Sequence, residues 1–67
     1  MNVLRTAPLA TEREAMAYLR VSREAIQRFR RAADPIPHLR AGRRYLYDLA
    51  EVREWALRQA RTRQDRP

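Results

Sequence analysis

The chain has 67 residues, no cysteine, a single histidine and a formal net charge of +7. That length allows one small domain with a thin core. The missing cysteines exclude disulfides and thiolate metal sites, and His38 alone cannot build a zinc site, so tight helix packing, self-association or ligand binding must steady the fold.

Residues 1–8 show no periodicity and end at Pro8; they read as a flexible N-terminal arm. Thr11-Glu12-Arg13-Glu14 is a capping box: the Thr hydroxyl accepts from the residue 14 amide while the Glu14 carboxylate reaches back. Ala15, Met16 and Leu19 follow at helical spacing, with Tyr18 beside them, so a first helix is expected over about 12–19. Arg20-Val21 breaks the pattern, and Ser22 is a good N-cap for a second helix. Ala25, Ile26, Phe29, Ala32 and Ala33 gather on one face of it, which predicts a helix over 23–32. Asp34-Pro35-Ile36-Pro37 ends it, because proline cannot continue a helix and restricts the residue before it. Two short helices joined by so tight a turn suit a helix-turn-helix crossing.

From Pro37 to Tyr47 the period changes. His38-Leu39-Arg40 and Arg43-Arg44-Tyr45-Leu46-Tyr47 flank Ala41-Gly42, and the only glycine stands where a tight turn needs positive φ. This predicts a two-stranded wing. Asp48-Leu49-Ala50-Glu51 reads as another capping box, opening a third helix with Leu49, Val52, Trp55 and Ala56 as its buried stripe. That helix is expected to end near Arg61, with Glu54 and Arg58 as an i,i+4 pair. Residues 62–67 read as a disordered basic tail. The expected fold is mainly α, three helices with a small two-stranded wing, and the domain is bounded at 9–61.

The charge is unevenly placed. Between Arg20 and Arg44 stand eight arginines against Glu24 and Asp34, which puts +6 of the +7 in this stretch. The absence of lysine is what GC-rich coding produces, but the guanidinium fork also suits two-point contact with phosphate or guanine. Charge concentrated on a short helix and a hairpin points to duplex DNA. A helix of about 10 residues is ~15 Å long and fits the major groove. Ser22, Arg23, Gln27, Arg28 and Arg31 form the candidate major-groove set. Arg23, Gln27 and Arg31 are the candidate base readers, since Arg matches guanine and Gln matches adenine. Ser22 and the first amides of the helix suit a phosphate, Arg28 sits on the flank towards the backbone, and Arg20 and Arg30 are candidate phosphate contacts. Arg40, Arg43 and Arg44 surround the wing turn, where arginines suit a minor groove. Against this stands a plain solvated helix face, with Glu24 and Arg28 paired, and a wing whose charges only guard a sheet edge.

Phe29, Tyr45, Tyr47 and Trp55 have the spacing of core, not of a stacking platform for single strands. Ser22 is explained as a cap, and no nucleophile, metal cluster or phosphate-binding glycine loop is present. The sequence therefore predicts no enzyme and no cofactor. No apolar run approaches the roughly 20 residues of a membrane span, and the first nine residues are too short in apolar character for a secretory signal. The expected location is the bacterial cytoplasm, in association with the nucleoid.

Several of these pieces together resemble a known family. Leu9-Ala10-Thr11 with Glu14-Ala15, Tyr18-Leu19-Arg20-Val21-Ser22-Arg23, Ile26, Ile36-Pro37, Gly42-Arg43-Arg44-Tyr45 and Val52-Arg53-Glu54-Trp55 resemble the small winged helix-turn-helix proteins of the excisionase and AlpA-like group, which have a MerR-type DNA-binding fold. Arg20 departs from the pattern, where the family usually has Gly, as does Ala32-Ala33-Asp34, where a more polar, glycine-containing turn is common. The resemblance implies that the second helix enters the major groove and the wing a neighbouring minor groove. It further implies a recombination directionality factor that binds repeated attachment sites, self-associates on adjacent sites, bends the DNA and helps a tyrosine integrase excise a prophage. A small phage or mobile-element transcriptional regulator is the alternative. An antitoxin-like protein-interaction module is the alternative of another class.

Overall fold

The computed structural model describes residues 9–64. The elements run β1 (Ala10–Thr11), α1 (Glu12–Leu19), α2 (Arg23–Arg31), β2 (Leu39–Ala41), β3 (Arg44–Tyr47) and α3 (Leu49–Gln64). The expected arm, residues 1–8, lies outside the described residues.

α1 starts as its sequence predicts. The Glu14 amide donates to the Thr11 hydroxyl at 3.1 Å, and the Thr11 amide donates to the Glu14 carboxylate at 2.8 Å. Its end is closed by Arg20, which adopts the left-handed conformation at φ 60°, ψ 48°. The Arg20 amide donates to Ala17 O and the Val21 amide to Met16 O, so two otherwise orphaned carbonyls are satisfied in a Schellman-type turn. The chain thus keeps the backbone a glycine would supply and carries the strain of a side chain there.

Ser22 caps α2, its hydroxyl accepting from the Ala25 amide at 3.1 Å. α2 stops at Arg31, one residue sooner than expected, and Ala32 is already extended. Ala32 and Ala33 are exposed, so they do not extend the apolar stripe of Ala25, Ile26 and Phe29. The linker that follows is docked on the core. The Ile36 amide donates to Phe29 O, and Ile36 itself is fully buried. The Trp55 indole donates to the Asp34 carbonyl at 2.7 Å. The Asp34 carboxylate accepts from Arg58 at 3.3 Å and from Gln59 at 2.7 Å. Arg58, expected to pair with Glu54, therefore reaches across to the linker.

The wing is larger than expected. β1 adds to it as a third strand, giving an antiparallel sheet in the order β1-β3-β2. Ala10 pairs with Tyr47 and Thr11 with Leu46 on one side; Leu39 pairs with Leu46, Arg40 with Tyr45 and Ala41 with Arg44 on the other. A two-residue segment that doubles as a helix cap carries no alternation to read, which is why the sequence hides β1. The hairpin turn is Gly42-Arg43, one residue later than Ala41-Gly42. Gly42 has φ 65°, as the first central residue of a primed hairpin turn requires.

α3 opens at Asp48, whose carboxylate accepts from the Ala50 amide at 3.0 Å. The helix continues to Gln64, so residues 62–64, expected in the disordered tail, are helical. Residues 65–67 lie outside the described residues. The buried core is Ala10, Ala15, Ile26, Ile36, Tyr47, Val52 and Trp55, which draws on β1, α1, α2, the linker, β3 and α3. Phe29 packs on Trp55 with ring centroids 5.2 Å apart, placing the aromatics in the core as their spacing predicts. The architecture is a winged helix-turn-helix.

Candidate nucleic-acid interface

α2 is anchored by Ile26, which faces the core. At about 100° per residue, Glu24, Arg28 and Arg31 fall within about 40° of direct opposition to it, at i, i+4 and i+7. All three are exposed, as is Arg23 in the first turn, while Gln27 is half-buried on the flank. Arg28, expected at the flank, is thus among the outermost side chains. Glu24 stands at the N-terminal end of the row, on the outward face where its helical phase puts it, opposite the apolar stripe. A carboxylate on such a face is able to accept from a cytosine amino group and repels phosphate, so it can add discrimination to what the arginines read.

Ser22 is exposed, but its hydroxyl oxygen already serves the cap. Arg20 is exposed in the turn between the helices. Tyr18, read beside the apolar positions of α1, is 45% exposed and presents its ring just ahead of that turn.

In the wing, Arg43 and Arg44 are exposed at the turn. Arg40 is exposed as well, and its Nε donates to the Gly42 carbonyl at 3.1 Å. That bond commits one edge of the Arg40 guanidinium to holding the turn, so Arg43 and Arg44 are the more available cations.

Arg30 departs from the expected set. Its side chain is only 13% exposed. One guanidinium nitrogen, Nη1, donates to Glu12 Oε2 at 3.0 Å and to the Tyr47 hydroxyl at 3.1 Å. Its Cζ lies 3.8 Å from the centroid of the Tyr45 ring. Burial works against the charge, but the bond to Tyr47, the bond to Glu12 and their fields outweigh it and raise the Arg30 pKa. Arg30 is not placed as a phosphate contact. The wheel explains why: residue 30 falls about 40° from Ile26, on the core side.

Among the described residues no cluster of His, Cys, Asp or Glu could hold a metal ion, and no helix is long and apolar enough to cross a membrane. The structure therefore brings Arg23, Arg28 and Arg31 onto one helix, Arg43 and Arg44 onto the adjoining hairpin, and leaves Gln27 at the edge of the helix face. Compared with known families, residues 11–60 match a helix-turn-helix domain. No curated protein and no solved structure matches the chain.

Proposed function

Since the chain belongs to the helix-turn-helix domain family over residues 11–60, and so is a DNA-binding helix-turn-helix protein, we propose that it is an excisionase-like accessory factor. α2 enters the major groove, with Arg23, Arg28 and Arg31 towards the duplex and Gln27 at the edge of the contact. The wing lays Arg43 and Arg44 on the adjoining minor groove or backbone. Arg20 and the Tyr18 hydroxyl meet phosphates at the turn, as side-chain donors commonly do. The protein acts by architecture, without chemistry: it neutralises phosphates, bends the duplex and places a tyrosine integrase, with neighbouring copies bound to adjacent sites. Its place in the cell is with the nucleoid.

The observation that supports this best is the pairing of two exposed basic tools on one small frame, a helix face and a hairpin tip. Footprinting on attachment-site DNA, with the bend measured by the phase dependence of gel mobility, tests it. The expected result is contiguous protection over several neighbouring repeats with a phase-dependent bend. A single protected site on straight DNA would instead favour a small transcriptional regulator.

A further inference from the structure

Glu12 opens α1, Arg30 sits in the last turn of α2, and Tyr45 and Tyr47 lie on the same face of β3. Four side chains from three elements therefore meet at one guanidinium. Both hydrogens of Arg30 Nη1 are used, one on Glu12 and one on Tyr47, and the plane of the group lies against Tyr45. From β2, Arg40, the cross-strand partner of Tyr45, approaches the same ring at 5.7 Å. Arg40 in turn holds the hairpin turn through Gly42 O. The His38 ring meets the Tyr45 ring edge at a centroid distance of 5.6 Å, its Nδ1 tied to Ile36 O at 2.7 Å. A continuous path of contacts thus runs from the C-terminal turn of α2 through Tyr45 to the tip of the wing.

A point cation would hold no angle here. A planar fork with two directed bonds and a stacked face does. We propose that Arg30 is a positioning residue for DNA recognition: clamped by Glu12, Tyr47 and Tyr45, it sets the angle between α2 and the wing, so that both reach one duplex together. The inference rests on the reading that both tools contact DNA. Arg30 itself touches no phosphate.

The test uses the full chain, a duplex selected by the wild-type protein from a random pool, and a scrambled duplex of equal length. Arg30→Lys keeps the charge and loses the fork. It is expected to weaken binding to the selected duplex roughly three- to thirtyfold, leave the scrambled duplex nearly unaffected, and keep the salt slope unchanged. Glu12→Gln raises the net charge by one, so electrostatics alone would tighten binding; positioning predicts a loss on the selected duplex. Both are measured well below the unfolding temperature, where a merely structural role would leave affinity alone. Should either variant fail to fold, guanidinium NMR of the wild-type protein decides. The Arg30 side-chain signals should hold still on DNA addition while those of Arg28 and Arg31 move. An Arg30 signal that shifts with DNA as Arg28 does, or unaltered affinity in both variants, would overturn the proposal. Absence of duplex binding by the wild-type chain would overturn the DNA reading, and the proposal with it.

Discussion

Tyr47 joins the two roles of the β3 face. Its ring is fully buried in the core, while its hydroxyl accepts from Arg30. Burial lifts the phenol above its ordinary pKa, and the Arg30 bond pulls it back only in part. The proton is therefore held more tightly in the folded chain than in the unfolded one. The stability this group contributes is full below about pH 10, the value of a free phenol, and is lost as the pH rises through the folded value. Thermal unfolding followed between pH 8 and 11, on the order of that range, is expected to show a decline above about pH 10 that is shallower in Tyr47→Phe. Equal slopes for the two chains would show that the buried hydroxyl does not couple to folding. Nothing in the residue types alone announces the Arg30–Tyr47 bond, because the partners stand seventeen positions apart and meet only when α2 packs on β3.

The elements owe their limits to local chemistry, and there the sequence is most legible. Thr11 with Glu14, and Ser22, set the starts of α1 and α2, and Gly42 marks the hairpin turn within one residue. Ser22→Ala should cost about 1 kcal/mol by leaving the Ala25 amide without its cap, read as a lower urea midpoint at unchanged m-value. Arg20→Gly should act the other way. The left-handed site costs an L side chain about 1 kcal/mol, offset in part by the larger entropy of an unfolded glycine, for a net gain of about 0.5 kcal/mol. The same chemical denaturation checks both, and an Arg20→Gly chain less stable than wild type would mean that the Arg20 side chain has a stabilising contact. What local chemistry does not reach is the length of α3. Polar Arg-Gln-Thr residues neither stop a helix nor demand one, and continuation to Gln64 follows from the absence of any breaker before Pro67. β1 was equally hidden, since its existence depends on the outer edge of β3 being free to receive Ala10 and Thr11.

The whole molecule is a basic body with a thin core. Among the described residues seven buried side chains form that core, with partly buried ones packed around them, and the linker is docked on α3 through Asp34 and Trp55. The Arg58–Asp34 pair is more than half exposed, so it adds well under about 1 kcal/mol; the buried Trp55 bond to the backbone is the firmer tie. Duplex binding by such a body is governed by counterion release. Log K is expected to fall against log salt concentration with a slope of roughly −0.9 for each phosphate neutralised. Arg43→Ala should reduce that slope by about one and weaken all duplexes alike, whereas Gln27→Ala should change the preferred sequence. Titration of fluorescent duplexes between low and moderate salt measures both. A flat salt response would refute the DNA reading, and an unaltered slope in Arg43→Ala would leave the wing as a purely structural hairpin.

The sequence by itself determined the order of the helices, the turn between them, the hairpin and the concentration of arginine between residues 20 and 44. Each of these follows from short-range rules of periodicity, capping and proline or glycine geometry, which need no partner from elsewhere in the chain. It also brought Arg23, Arg28 and Arg31 to one helix and Arg43 with Arg44 to one turn. Only the tertiary structure decided which arginines are free. Composition treats the eight as equivalent, but packing does not: Arg30 falls on the core side of α2, where a charge persists only with partners, and Glu12, Tyr45 and Tyr47 supply them from distant positions. Arg58 was likewise drawn to Asp34 instead of its helical neighbour. A guanidinium reaches several ångströms in any direction its rotamers allow, so its role is settled by what the fold sets within that reach.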